Sequence, residues 1–193
     1  MRNKILISLL GITLLALSLM LVLSIKNNNK LQEAYIENSI SKPLMRLASQ
    51  LSLINQQFDE MIDGDEIGLE KLEVLTNHTS RTNLYFSDFR NHYNELFKEE
   101  DSLAITNQSF ERDLLIVQVN LQSIQDDMQR NGDIDEESMW KLLKESAEYI
   151  IYYNELLSPY EQTPLSKQIK GIKDIKRSKE WKQFIYKINE KEL

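Results

Sequence analysis

The feature that most constrains the fold is an uncharged apolar stretch near the amino terminus, Ile5 to Ile25. As an α-helix with a rise of about 1.5 Å per residue, its 21 residues extend roughly 32 Å, enough to cross a hydrocarbon layer of about 30 Å. Its less apolar members are small, and a hydroxyl can bond to a carbonyl of its own helix in lipid. They are Ser8, Gly11, Thr13, Ser18 and Ser24. The stretch therefore predicts a transmembrane helix.

A cleaved signal peptide is the alternative interpretation of this stretch. Arg2 and Lys4 would form its basic region, but the apolar run is longer than the roughly 7–15 residues of a signal-peptide core. The small-residue pair Ala16 and Ser18, which resembles a cleavage site, lies inside the run. We therefore expect an uncleaved signal-anchor, with residues 1–4 in the cytoplasm.

The orientation of the anchor follows from the length of the segment after it. Basic residues flank the anchor almost equally, with Arg2 and Lys4 before it and Lys26 and Lys30 after it. However, a long hydrophilic segment is translocated largely regardless of local charge. We expect a single-pass protein of the cell membrane, with the 168 residues that follow the anchor outside the cytoplasm.

Composition favours a helical domain without thiol chemistry. The remaining chain is long enough for one hydrophobic core, and five glycines with three prolines suit helices better than a β-sandwich. The absence of cysteine excludes disulfides, thiolate metal sites and a cysteine nucleophile. Usage rich in Asn, Lys and Ile indicates a bacterial source.

Charge is distributed unevenly along the chain. Residues 1–30 hold four basic and no acidic groups, residues 31–157 hold 25 acidic and 10 basic groups, and residues 158–193 hold nine basic and five acidic groups. Nucleic-acid binding needs a basic surface. The acidic middle of the chain therefore argues against a nucleic-acid partner.

Four stretches after the anchor repeat apolar residues at alternating spacings of three and four, the heptad pattern of packed helices. The first comprises Ile40, Leu44, Leu47, Leu51, Ile54, Phe58 and Met61, and the second Leu72, Leu75, Thr79, Thr82, Phe86, Phe89, Tyr93 and Leu96. The third comprises Leu103, Asn107, Phe110, Leu114, Val117, Leu121, Ile124 and Met128, and the fourth Met139, Leu142, Ser146, Tyr149, Tyr153 and Leu156. The fourth stretch has a second, adjacent row, which predicts a broad buried face: Trp140, Leu143, Ala147, Ile150, Asn154 and Leu157. The sequence therefore predicts an all-α fold, in which the transmembrane helix precedes an extracytoplasmic, coiled-coil-like, up-down-up-down four-helix bundle over residues 26–158.

Helix boundaries are marked by turn and capping residues. Pro43 predicts either a kink near Ser39, whose carbonyl loses its partner, or a new helix capped by Ser41. Of these we favour one kinked helix. The other markers are Asp63–Asp65 and Gly68 for the first turn, Ser102 or Ser109 before the third helix, Asp133 with Glu136 as a capping box before the fourth, and Ser158 at its end.

A basic amphipathic tail follows over residues 159–193. Three arrangements are open for it: it lies on anionic headgroups, it folds back on the acidic bundle, or it is a disordered soluble tail. In the first, Trp181 and Phe184 enter the interface. The candidate membrane-surface contacts are then Lys167, Lys170, Lys173, Lys176, Arg177, Trp181 and Phe184.

A polar layer inside the second predicted helix is the candidate ligand site. Thr79 and Thr82 occupy seam positions, and Ser146 of the fourth helix is expected opposite them. A small polar ligand could fill this layer, with Arg81 as an anion clamp at its edge. Alternatively, the threonines set the register of the bundle and bond to their own helix carbonyls.

Catalytic and metal-binding motifs are not evident. The sequence lacks a G-x-S-x-G elbow, a Walker loop and H-E-x-x-H. The two histidines, His78 and His92, lie about 21 Å apart if they share a helix, too far to bind one metal. We expect no enzymatic activity, no metal and no cofactor.

The overall plan resembles the sensing region of bacterial chemoreceptors and of some sensor kinases. Those proteins have a second membrane helix that leads to a signalling domain, whereas this sequence shows one such stretch. Two functions remain open. The first is a non-enzymatic, membrane-anchored module that acts through membrane or envelope protein partners or self-association, and the second is an extracytoplasmic small-ligand sensor.

Overall fold

All regular structure in the described part of the chain is helical. The computed structural model describes the backbone of residues 2–98, 104–106, 108–130, 134–161 and 172–190, and side chains from residue 17 onwards except 172, 173 and 190. The helices are α1 (Arg2–Ile36), α2 (Lys42–Asp63), α3 (Leu69–Leu96), α4 (Ser109–Arg130), α5 (Glu136–Leu157), α6 (Ile172–Arg177) and α7 (Lys179–Glu190). A π-helical turn (Glu37–Ser41) joins α1 to α2, and a 3-10 turn (Ser158–Tyr160) follows α5. The predicted all-α class is confirmed.

The helices α2 to α5 form a closed bundle. Each packs against the next in the chain, and α5 returns to contact α2. In α2, α3 and α4 most buried residues belong to the predicted heptad seams. In α5 the predicted seam is only partly correct: Met139, Leu142, Tyr149 and Leu156 are half-buried, and the buried residues are Leu143, Ser146, Ala147, Ile150, Tyr153 and Leu157. The buried residues of the four helices form one continuous core. Because full burial of a large apolar side chain contributes about 1.5–3 kcal/mol, the seams are the main source of stability. The predicted helical bundle is confirmed at this level.

The amino-terminal apolar stretch lies in α1. The side chains of residues 1–16 are outside the described residues, so only the second half of the stretch is visible. There, Leu17, Leu19, Met20, Leu21, Val22, Leu23 and Ile25 are each 53–68% exposed. Within the part of the chain that the structure describes, no helix has the length and apolarity that a membrane crossing needs.

Pro43 widens the helix instead of breaking it. Proline has no N–H, so the carbonyl of Ser39 cannot receive its usual α-helical bond. The chain responds with one π-helical turn, in which the Lys42 N–H donates to the Glu37 carbonyl five residues earlier. Ser41 makes no side-chain cap, so a new helix does not start there. The helix α1 and the first bundle helix, α2, are therefore continuous.

The predicted first turn has a complete carboxy-terminal cap. The Glu66 N–H donates to the Met61 carbonyl, and the Asp65 N–H donates to the Ile62 carbonyl. This is the Schellman arrangement, and Asp65 takes its left-handed position with φ of 48°. Gly64 is required beside it, because a Cβ there would lie 2.8 Å from the Glu60 carbonyl oxygen.

The starts of the last two bundle helices are clear in the structure. Of the two starts predicted for the third bundle helix, α4 has the later one, at Ser109, and its first turn bonds to the Gln108 carbonyl. Asp135 caps the fourth, because its carboxylate accepts the Ser138 N–H at 2.9 Å. The predicted caps Ser102 and Asp133 lie outside the described residues.

We predict opposite effects of adding a side chain at the two turn glycines. Gly64→Ala should lower the free energy of unfolding by about 1 kcal/mol or more, because the Glu60 carbonyl must move. Gly68→Ser is the matched control, since its Cβ would meet only Lys71 carbons at 3.9 Å. Gly68 is also the N-cap of α3, so serine should add roughly 0.2–0.4 kcal/mol to the free energy of unfolding. Thermal unfolding of the full chain in detergent would contradict this assignment if both variants shifted Tm in the same direction.

Candidate functional site

The hydroxyls of the predicted ligand layer are bonded within their own helices. Thr79 and Thr82 in α3 and Ser146 in α5 are fully buried. Thr79 Oγ1 donates to the Leu75 carbonyl, Thr82 Oγ1 to the His78 carbonyl and Ser146 Oγ to the Leu142 carbonyl, each at 2.8 Å. Such bonds satisfy a buried hydroxyl without any ligand.

Arg81 does not enter this layer. Its side chain is exposed, since it follows the seam position Thr79 by two residues and so points away from the core. Its charge acts on the neighbouring His78, whose pKa is lowered first by burial and then by Arg81. The predicted anion clamp is therefore separated from the buried threonines.

Two cross-helix hydrogen bonds belong to the same level of the bundle and were not predicted. Asn120 Nδ2 in α4 donates to Ser146 Oγ in α5 at 3.1 Å, and His78 Nδ1 lies 3.0 Å from Gln50 Oε1 in α2. These polar residues flank the seams, where sequence reasoning expects solvent. One sequence pattern could have predicted these bonds: a polar residue that lies beside a seam at the level of a small or polar seam residue.

The carboxy-terminal segment folds against the bundle and brings together the aromatic residues predicted to contact the membrane. Trp181 and Phe184 are only 1% and 3% exposed. Trp181 Nε1 donates to the Tyr93 hydroxyl of α3 at 2.7 Å, and both side chains are buried. Tyr160 packs edge-on against Trp181 and Phe184, with ring centroids 5.9 and 5.1 Å away. This arrangement corresponds to the second of the three open for the tail, because an apolar face finds dry partners inside the protein.

The basic candidates of the tail are only partly visible. Lys176 is half-buried and Arg177 is exposed. Lys167 and Lys170 lie outside the described residues, as does the side chain of Lys173. The residues predicted to contact the membrane surface therefore lie in different places. Trp181 and Phe184 are inside the protein, and Arg177 faces solvent.

Two asparagines hold the connection between α3 and α4. Asn94 Nδ2 donates to the Ile105 carbonyl at 2.9 Å, and its Oδ1 accepts the Ile105 N–H at 2.8 Å. Asn189 of α7 makes the same kind of pair, donating to the Ala104 carbonyl and accepting the Thr106 N–H. Each amide thus imitates a backbone partner, which fixes α7 to the loop.

A buried carboxylate completes this end of the molecule. Asp113 is fully buried and accepts the Tyr153 hydroxyl at 2.8 Å. Arg112 Nε lies 3.7 Å from its other oxygen. Burial, followed by the hydrogen bond to Asp113, raises the pKa of Tyr153 far above its usual range. Tyr153 therefore remains a neutral donor, and its hydrogen bond to Asp113 joins α4 to α5.

Comparison with known proteins gives no relative: no family model matches the sequence, and no curated protein or solved structure matches it significantly. In the described ranges, no group of three or more His, Cys, Asp or Glu side chains is arranged to hold a metal ion. The expected absence of metal and cofactor stays a prediction.

We predict that Trp181→Phe destabilises the protein more than the same change at Trp140. Phenylalanine keeps most of the buried surface but loses the indole donor to Tyr93, so about 1–2 kcal/mol of unfolding free energy should be lost. Trp140 is half-buried near the distal turn and provides the matched control. Chemical unfolding of the full chain in detergent measures both. Equal midpoints for the two variants would contradict a stabilising role for the indole bond.

We also predict an alkaline loss of stability that depends on Tyr160. Burial, and then the charge of Glu180, raise the pKa of Tyr160 to about 12 from an ordinary value of 10.0. The unfolded chain therefore loses this proton first, and stability falls as the pH rises from 10 towards 12. Tyr160→Phe should flatten the decrease in Tm over that range, whereas Tyr35→Phe, at an exposed site, should leave it unchanged. An unchanged slope for Tyr160→Phe would refute the linkage.

Proposed function

We propose that this chain is a non-enzymatic, single-pass membrane-anchored helical bundle that acts through protein partners of the membrane or envelope. The anchor is the stretch Ile5 to Ile25, the amino terminus is cytoplasmic, and the bundle is extracytoplasmic. The observation that carries the proposal is the exposure of every large apolar side chain between Leu17 and Ile25.

This exposure is not that of an amphipathic helix. Successive residues of a helix are rotated by about 100°, so the seven apolar residues of this short segment face all directions. A helix that packs on a protein core is apolar along one stripe only. An apolar surface on all sides is the property of a helix surrounded by lipid, and it supports insertion of the whole stretch.

The junction with the bundle supports mechanical coupling. The π-helical turn keeps the anchor and α2 in one continuous helix, and Ile36 and Ile40 on either side of its start are fully buried. A tilt or rotation of the anchor therefore changes the packing of α2 directly. This favours a module whose bundle reports on, or responds to, neighbours in the membrane.

The bundle also has apolar side chains that remain on its surface. Leu115 and Val119 are more than half exposed and lie one turn apart on α4. These positions are candidate contacts for a protein partner. The sensor alternative is less favoured, because a ligand in the threonine layer would have to replace hydroxyl bonds that are already made.

One experiment tests location and partnership together. The chain has no cysteine, so single cysteines can be introduced at Leu115 and at Asn3 of the full chain. A membrane-impermeant maleimide carrying a photo-crosslinker is applied to intact cells. We expect labelling at position 115 but not at position 3, and on illumination an adduct with one defined membrane or envelope protein.

The two readouts have separate meanings. Labelling at position 3 and not at 115 would show that the orientation is inverted. Labelling at 115 without any protein adduct would reject this face as the partner site, and the absence of an adduct from a further cysteine at Val119 would reject the interaction module.

A further inference from the structure

The helix α7 has an apolar inner face and a basic outer face. Trp181, Phe184, Ile185 and Ile188 form the buried face. Lys179, Lys182 and Tyr186 are exposed, and their spacings of three and four residues place them on one side of the helix. The acidic Glu180 lies on another flank, where its carboxylate accepts the Ser178 hydroxyl. Docking of the apolar face thus leaves two lysines and a tyrosine directed outward together.

This basic face is located at the end of the bundle where α1 enters. Trp181 contacts Tyr93 near the end of α3, and Ser109 at the start of α4 donates to the Ile188 carbonyl. The Tyr152 hydroxyl near the end of α5 donates to the Lys187 carbonyl. The π-helical turn that follows α1 packs on α3 at the same end.

Acidic residues occur at both ends of the bundle, and at the end beside α7 they include Glu33, Glu37, Glu95, Glu111 and Glu155. Around the α2–α3 turn they are Asp59, Glu60, Asp63, Asp65, Glu66, Glu70 and Glu73. Around the α4–α5 connection they are Asp126, Asp127, Asp135, Glu136 and Glu137. The ion pairs among the described residues do not include Lys179 or Lys182. The charge of Lys179 acts on the carboxylate of the neighbouring Glu180, whose pKa is lowered first by backbone and Ser178 hydrogen bonds.

The distance from the membrane can be estimated from α1. Between Ile25 and the buried Ile36 the helix rises roughly 16 Å. A headgroup layer about 5–7 Å thick covers the first part of it. About 10 Å then separates the headgroups from the bundle, which is close to the Debye length of about 8 Å at physiological salt. Flexible lysine stems reach across part of the remaining gap.

We propose that the outer face of α7, formed by Lys179, Lys182 and Tyr186, is a contact surface for anionic phospholipid headgroups. The proposal rests on the anchor proposed above, since the anchor brings this face near the bilayer. The lysines attract the phosphate charge, and the exposed Tyr186 ring suits the boundary between headgroups and water.

The full chain in lipid nanodiscs provides the test. A fluorophore on Gln183→Cys, which is exposed between Lys179 and Tyr186, reports contact through quenching by a headgroup nitroxide lipid. Nanodiscs contain either phosphatidylcholine alone or phosphatidylcholine with one-third phosphatidylglycerol. We expect stronger quenching in the nanodiscs that contain phosphatidylglycerol. The difference between the two lipid compositions should disappear at about 0.5 M salt, because the Debye length is then only a few ångströms.

Charge variants identify the surface. Lys179→Gln with Lys182→Gln should lower the population of the contacting state about thirtyfold, because each basic residue near an anionic surface contributes about a fivefold factor. Lys141→Gln with Lys144→Gln removes the same charge from exposed sites on α5 and should leave the quenching unchanged. Equal loss from both pairs would overturn the assignment to α7.

A second label separates the two proposals. A fluorophore on Leu21→Cys, read with a nitroxide in the acyl chain, reports insertion of the anchor. Quenching at position 21 without lipid-dependent quenching at 183 would refute the headgroup contact alone. Absence of quenching at both positions would refute the anchor, and with it the headgroup contact.

Discussion

The hydrogen bond from the Trp181 indole to the Tyr93 hydroxyl joins the last described helix to the bundle where water is absent. In a buried site, the free-energy cost of leaving the indole N–H without an acceptor is larger than the net gain from the hydrogen bond itself. Arrangements that break this bond are therefore strongly disfavoured. Around it, Tyr160 and Phe184 complete an aromatic layer. The position of α7, and therefore the side on which its lysines are exposed, depends on this contact.

The bundle and the amino-terminal helix α1 are joined with little freedom. The π-helical turn before Pro43 absorbs the missing N–H within one turn of helix. A flexible linker would let the bundle rotate independently of α1, whereas a continuous helix transmits rotation. Two buried oxygens at this turn, Glu37 Oε2 and Ser41 Oγ, have no hydrogen-bond partner. At this turn the chain buries side chains in the core although two of their neighbouring oxygens are left without hydrogen bonds.

The helical class and most of the core could be predicted from the sequence, because a heptad seam such as Leu44 to Met61 specifies both the helix and its buried face. The polar layer was harder. Periodicity places Thr79 at the core, but it does not distinguish a ligand contact from a bond to the Leu75 carbonyl. The tail was least predictable, since an amphipathic helix such as α7 can bury its apolar face in lipid or in protein, and only long-range packing with Tyr93 decides.

The two asparagine clamps have a consequence for the order of folding. Asn189 bonds residues more than 80 positions earlier in the chain, with separations of 83 and 85. Closing so long a loop is entropically unfavourable until the intervening helices have already shortened it. The connection that Asn94 shapes locally must therefore exist before α7 can recognise it. In this order, the end of the bundle beside α1 is the last part to become complete, and until then its aromatic layer remains open.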